Sequence, residues 1–245
     1  MRAYIITTSD NHGRKADLTN YPTALPTPEL FYGVTPDTFE VPEWWLSIHS
    51  QLWANDKPER VFCCGKSKEL LLRQHIANYP EDDLLLMEDD VFFTSDADEK
   101  YNAFMQSVSN WDMIFLGGWH EFNCRGCPPR EIAPNVLRCF HVLGNEAVII
   151  RSALLQEVAE IWTHSRDNVF GHSDWQLVTI QQRYNTFAPM GFIAGQQNGW
   201  SNLFQADRQM GIKNDFFYKG LDERIHLFGY PENNCKQCKN RCYRF

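Results

Sequence analysis

The chain lacks any apolar stretch near the ~20 residues that cross a bilayer as a helix, and it has no low-complexity segment, internal repeat or flexible linker. A helical membrane span, a solenoid and a string of tethered modules are thereby excluded. A surplus of positive charge is missing as well. Lys and Arg number 23 against 31 Asp and Glu, a net charge of -8. That argues against broad electrostatic binding of nucleic acid, though a local basic groove is not excluded. The first ten residues carry one Arg and an apolar core too short for a signal peptide, so a cytoplasmic location is expected. Gly65-Lys66-Ser67 is no phosphate loop, because Arg60 stands where that motif needs a Gly.

What is present suits one globular domain with a small appendage: 245 residues, 43% of them hydrophobic and 22% charged. Aromatics make up 14%; they line sugar and base sites, and more commonly fill cores. Eight cysteines include two Cys-x-x-Cys pairs. Cys124 and Cys127 form the first, Cys235 and Cys238 the second, and Cys242 follows shortly after. In a chain without an export signal, thiolates at this spacing suit a structural Zn²⁺. The long gap between the pairs leaves disulfides and free thiols open. Cys63, Cys64 and Cys139 sit among apolar residues and read as buried thiols.

The chain is organised around Asp83-Leu84-Leu85-Leu86-Met87-Glu88-Asp89-Asp90-Val91-Phe92-Phe93. Leu84 to Met87 has the length and bounded ends of a strand buried on both faces. In extended geometry Glu88 and Asp90 share one face and Asp89 takes the other. Ligands of open α/β sheets lie off the carboxyl ends of strands, and acids placed there suit a hard divalent cation that carries phosphate. The same residues read equally as an acidic turn behind a core strand.

Tyr4 to Thr8 predicts a first strand, and Ser9 to Gly13 a turn. Phosphate or ribose contacts there would come from Thr8, Ser9, Asp10 or Arg14. The stretch from Asn20 to Pro42 reads as irregular except for a strand at Leu30 to Val34, ended by Gly33. Helices are expected over Trp44 to Asn55, Ser67 to Asn78 with Ser67 as its cap, and Ala97 to Val108. Val61 to Cys64 reads as a short strand or the approach to a helix. Asp112 to Leu116 predicts a strand with Gly117-Gly118-Trp119-His120 at its end, where two glycines permit a close approach; His120 is a site candidate or simply solvated. A further strand lies within Leu137 to Ile150. Ser152 caps an amphipathic helix that buries Leu154, Leu155, Val158, Ala159, Ile161 and Trp162. Asp174 opens another helical segment, either as a functional acid or as a first-turn acid favoured by the dipole. Phe187 to Ala194 predicts a last strand, leading to Gln196, Gln197 and Ser201, a loop able to hydrogen-bond a polyol.

Taken in order, these pieces resemble the family-25 glycosyltransferases, the lipopolysaccharide and procollagen galactosyltransferase group. Met87 to Val91 resembles that family's Glu-Asp-Asp signature, its counterpart of the metal-binding Asp-x-Asp motif. Cys63 to Ile76 resembles its Cys-x-x-Ser-His helix, with Lys68 in place of the His. Trp111 to Gly117, His141 to Ser152, Asp174 to Leu177 and Pro189 to Ser201 resemble its later segments. The likeness covers roughly residues 4 to 205. The first loop lacks the usual Asn-Leu and Arg-rich pattern, and the cysteine pairs are outside it.

The resemblance implies a GT-A fold, an α/β, Rossmann-like, mostly parallel sheet flanked by helices. It divides the chain into a transferase domain, 1–206, and a Cys-containing tail, 207–245, packed on it. It further implies inverting transfer of a hexose from a UDP-sugar, UDP-glucose or UDP-galactose, to an acceptor hydroxyl with Mn²⁺ or Mg²⁺. Asp90 is then the direct metal ligand, Glu88 holds the ribose or a metal water, and Asp89 orients a neighbour. Asp174 is the general base. Lys66 and Ser67 join Thr8, Ser9, Asp10 and Arg14 around the donor, and Gln196, Gln197 and Ser201 face the sugar or complete the metal site. Glycan, protein hydroxylysine and a hydroxymethylated DNA base all offer an acceptor hydroxyl, the last disfavoured by charge. A metal-dependent phosphoesterase or nuclease would need further Asp/His ligand pairs at strand ends. A zinc-stapled binding module would leave the acidic strand unexplained.

Overall fold

The computed structural model describes residues 1–11, 13–49, 57–120, 129–163, 172–201 and 206–208. The four thiols expected to share a Zn²⁺, namely Cys124, Cys127, Cys235 and Cys238, lie outside the described residues, as does the tail from 209.

The chain opens with β1 (Arg2–Thr7) and β2 (Pro28–Tyr32), then α1 (Glu43–His49) and α2 (Pro58–Asn78). The acidic stretch follows as β3 (Leu84–Glu88), a turn and β4 (Val91–Phe93). After α3 (Ala97–Ser107) come β5 (Met113–Phe115), β6 (Trp119–His120), β7 (Arg130–Ala133), β8 (Val136–Arg138), β9 (Val142–Leu143) and β10 (Ala147–Ile150). Helices α4 (Ser152–Trp162) and α5 (Ser173–Arg183) precede β11 (Thr186–Pro189), β12 (Ala194–Gln196), β13 (Gly199–Ser201) and β14 (Ala206–Arg208).

Eight strands form the main sheet in the order β2-β1-β3-β10-β5-β11-β8-β7. Pairing is parallel for β2 with β1, β1 with β3 and β5 with β11. Strands β10 and β8 run against the other six. This is the mixed α/β, mostly parallel, Rossmann-like architecture expected of the GT-A class.

Strand β3 sits in the middle and shows why its sequence is apolar throughout. Leu84 and Leu86 pack in one cluster with Leu71, Leu72, Leu154, Val158 and Leu177, from α2, α4 and α5. Leu85 and Met87 pack in the other, with Tyr101 and Phe104 of α3 and Leu25 of the proline-rich segment. All four are 0% exposed, and each contributes roughly 1.5–3 kcal/mol of burial.

Some element ends and caps differ from the sequence pattern. Helix α2 begins at Pro58, which fills the first helical position where no N–H is needed. Val61 and Phe62 are therefore helical and pack on Trp45. Ser67 is internal and buried; its hydroxyl donates to Cys63 O at 2.7 Å and accepts Val34 N at 2.9 Å, so it is no cap. Helix α4 does start at Ser152, but the carboxylate of distant Asp83 accepts the Ser152 amide, at 2.8 Å. The single strand expected over 187–194 is two: β11 stays in the main sheet, the chain turns at Gly191 (φ +98°), and β12 pairs with β4.

Candidate active site

The acidic stretch stands at the carboxyl end of β3, beside the carboxyl end of β1 and the loop that follows it. Because β3 ends at Glu88 and residues 89–90 turn, the strand alternation expected for the three acids does not hold. Asp89 and Asp90 face the same partner, and Glu88 faces another.

Arg14 is that shared partner. Its Nη2 lies 2.8 Å from Asp89 Oδ1, and its Nη1 lies 2.7 Å from Asp90 Oδ2. Thr7 donates to Asp89 Oδ2 at 2.8 Å, which satisfies both oxygens of Asp89. Asn11 holds the loop closed by donating to Thr7 Oγ1 and to Arg14 O. Gln196 donates to Asp90 Oδ2 at 3.0 Å. Asp90 Oδ1 is buried with no hydrogen-bond partner. Burial, reinforced by the charge of Glu88 and opposed by Arg14, pushes the Asp90 carboxyl up to about 7. A buried carboxylate oxygen with nothing to accept from is costly unless a ligand completes it.

Glu88 accepts from Lys68 Nζ at 2.8 Å. Lys68 is 3% exposed and also donates to Ser173 Oγ, at 3.0 Å. Asn145, turned so that its neighbours are satisfied, accepts from Lys68 Nζ at 3.0 Å and donates to Gly144 O at 3.1 Å. Burial works against the Lys68 charge, but Cys64, Glu88 and Asp174 together hold its pKa above the ordinary lysine value. Asp174 is half-buried in the first turn of α5. Its Oδ2 accepts Gly144 N at 3.1 Å and its Oδ1 accepts Trp175 N at 2.8 Å. Trp162 Nε1 bonds Ser173 O at 2.9 Å and fixes the same helix start.

The remaining candidates divide. Thr8 donates to Asp10, and Arg60 pairs with Asp10 at 2.8 Å, so this part of the first loop is braced against α2. Ser9 is exposed. Lys66 spends its charge on Glu69 at 2.9 Å, and Ser67 is enclosed within α2. Neither stands open as the donor contact expected of it. Gln197 braces the acidic turn through its amide, which donates to Asp90 O, and its side chain, which donates to Lys15 O and Val91 O. Ser201 ends β13, and its side chain lies outside what is described. Cys63 and Cys139 are buried thiols, as expected.

The two glycines at 117–118 do permit a close approach, from the chain itself. A Cβ at Gly117 would lie 2.8 Å from Ala194 O, and one at Gly118 2.8 Å from Leu143 O. His120 is buried rather than solvated and stacks on Phe192, with ring centroids 5.0 Å apart. Burial pulls its pKa down to about 3. The unfolded chain takes up that proton first as pH falls. His120 therefore contributes stability in full above about pH 6.5 and loses it toward pH 3, by about 1.4 kcal/mol per unit. Urea unfolding at pH 7, 5.5 and 4.5 should show His120→Phe losing less than the parent; equal slopes would rule the effect out.

Three further residues carry this region. Lys68 appears in the sequence only as the departure from the family's Ser-His pair, and Asn145 gives no signal at all. Glu146 is a buried carboxylate whose carbonyl accepts the Glu88 amide at 3.2 Å. Among the described residues no three His, Cys, Asp or Glu side chains converge as a metal-binding group. Glu88, expected to share the metal with Asp90, pairs with Lys68. Cys124 and Cys127, like Cys235 and Cys238, are outside the described residues, and their zinc site stays an expectation of the sequence. The bare oxygen of Asp90 is the kind of donor a hard cation takes, so this residue would supply one protein ligand to such an ion.

No family model matches the chain, and no curated protein does. Among solved structures the chain is similar to A197 from STIV, at 14% identity over 77% of this chain and 81% of that one, TM-score 0.35. It is similar to a glycosyltransferase involved in the glycosylation of the major capsid of PBCV-1, at 13% identity over 77% and 82%, TM-score 0.36. A third is mouse xyloside xylosyltransferase 1, apo form, at 7% identity over 74% and 80%, TM-score 0.36. Among the described residues no helix is long and apolar enough to cross a membrane.

Proposed function

We propose that this protein transfers a hexose from a nucleotide sugar, UDP-glucose or UDP-galactose, to an acceptor hydroxyl with inversion at the anomeric carbon. The observation that carries this reading is the buried, unpartnered Oδ1 of Asp90 beside Arg14, at the carboxyl edge of a Rossmann-like sheet. The ordered resemblance to family-25 glycosyltransferases supports it.

Asp90 would hold Mn²⁺ or Mg²⁺. A cation held there would supply positive charge to offset that of the departing diphosphate. Asp89, held by Thr7 and Arg14, keeps the Arg14 guanidinium at the edge of the same place, where its charge adds to the stabilisation of a diphosphate. Asp174 accepts the proton of the attacking hydroxyl. Each of its oxygens receives one backbone N–H, which fixes the carboxylate and leaves a further lone pair on each. As the bond from acceptor oxygen to anomeric carbon forms, the bond from that carbon to phosphate oxygen breaks. The electron pair leaves with UDP and the proton stays on Asp174.

Incubation with UDP-glucose and UDP-galactose, with Mn²⁺, Mg²⁺ or a chelator, tests the whole reading. Release of UDP that depends on the cation is expected; no release from any nucleotide sugar would overturn it. Asp174→Asn keeps the shape and removes the basicity. Transfer should fall roughly 10²–10⁴-fold while UDP affinity hardly changes. Transfer near the parent rate would leave Asp174 as a first-turn acid of α5.

A further inference from the structure

The segment 141–144 does more than present an amide to Asp174. At one end His141 is buried, and its ring meets that of Trp175 edge-on, with centroids 5.1 Å apart and planes at 80°. At the other end Gly144 has φ +84°, and a Cβ there would lie 2.8 Å from Trp119 Cζ3 and 2.4 Å from Glu146 Oε2. Trp119 also pairs with Leu143 across β6 and β9. Two indoles thus meet the two ends of the segment whose last amide donates to Asp174. Trp175 follows Asp174 directly and is 37% exposed; Trp119 is half-buried.

We propose that Trp119 and Trp175 form a subsite for a pyranose ring, so that the acceptor is a carbohydrate. The inference rests on the glycosyl-transfer reading and names its acceptor class. A pyranose offers a face of C–H groups with hydroxyls around its rim. An indole takes the face by dispersion and weak C–H···π contact, and a carboxylate accepts from the rim. Trp175 and Asp174 supply these two elements from adjacent positions on one helix turn. A nucleobase also stacks on an indole, and charge separates the two. Asp174 and Glu146 lie beside the indoles, and the net charge is -8, so the phosphates of a DNA acceptor would meet repulsion.

Saturation-transfer NMR with methyl α- and β-glucosides and galactosides tests the subsite in the parent protein, Trp175→Ala and Trp175→Phe. Binding on the order of 1 mM is expected. Trp175→Ala should weaken it about tenfold, the worth of one aromatic contact, and Trp175→Phe less. A separate titration of the parent with UDP and Mn²⁺ reads the donor side. If UDP binds but no glycoside does, or Trp175→Ala binds as the parent does, the subsite is overturned and the transfer reading stands. If a 5-hydroxymethylcytosine oligonucleotide or a hydroxylysine peptide binds through Trp175 and the glycosides do not, the acceptor class is wrong. If glycosides bind through Trp175 and UDP does not bind, the carbohydrate subsite stands and the transfer reading falls.

Discussion

Asp90→Asn should lower the Mn²⁺-dependent part of UDP affinity by about two orders of magnitude and leave the fold as stable as before, or more so. The two effects separate because Asp90 is half-satisfied. Its Oδ2 has Arg14 and Gln196, and its Oδ1 has no partner. The amide keeps the shape, removes a buried charge and places an uncharged atom where the bare oxygen was. Asp89→Asn should do the reverse. Both oxygens of Asp89 are used, by Arg14 at 2.8 Å and Thr7 at 2.8 Å. An amide keeps only one of the two acceptor oxygens, so either Arg14 or Thr7 loses an acceptor at a cost of about 1–2 kcal/mol, with the smaller effect on cation affinity. Calorimetric titration with UDP and Mn²⁺, beside urea unfolding, reads both quantities for both variants. A stable Asp89→Asn that no longer responds to Mn²⁺, with Asp90→Asn unaffected, would exchange the two roles.

The central sheet was legible where burial on both faces leaves no choice of residue. Leu84 to Met87 could be nothing else in a chain this size, and Val148 to Ile150 follows the same logic with clusters on both sides. Helix α4 was legible for the opposite reason, because its stripe of Leu154, Leu155, Val158, Ala159 and Trp162 repeats at helical spacing. The start of α2 was hidden. Val-Phe-Cys-Cys before a Gly has strand propensity, and packing of Val61 and Phe62 on Trp45 overrides it. The break at Met190-Gly191 was hidden too, since apolar residues continue on both sides of it.

The candidate site was half legible. Three acids after a core strand announce themselves, and so does an acid opening a helix. Their partners do not. Arg14 and Asp90 are 76 positions apart, and Lys68 and Ser173 are 105. No local pattern carries either pairing. The alternation rule also failed at the place that matters most, because the strand stops at Glu88 and a turn sends Asp89 and Asp90 to one guanidinium.

Lys68 is the residue through which the two halves of the site are joined, and its removal should be strongly destabilising. It stands in the middle of α2 with its ammonium on Glu88 of β3, Ser173 of α5 and Asn145 of the loop before β10. Lys68→Met leaves the Glu88 charge without its counter-ion and the Ser173 hydroxyl without its donor. Breaking a buried pair costs about 3–5 kcal/mol. The Glu88 side chain is 26% exposed and can turn partly to water, so about 2–3 kcal/mol is expected here. In Lys68→Met with Glu88→Gln the orphaned charge is gone, and more than half of that loss should return. Urea unfolding of the parent, the two single variants and the double variant closes the cycle. If the double variant is as unstable as the sum of the singles, Lys68 holds α2 by its stem alone, and Glu88 is available for a role at the donor.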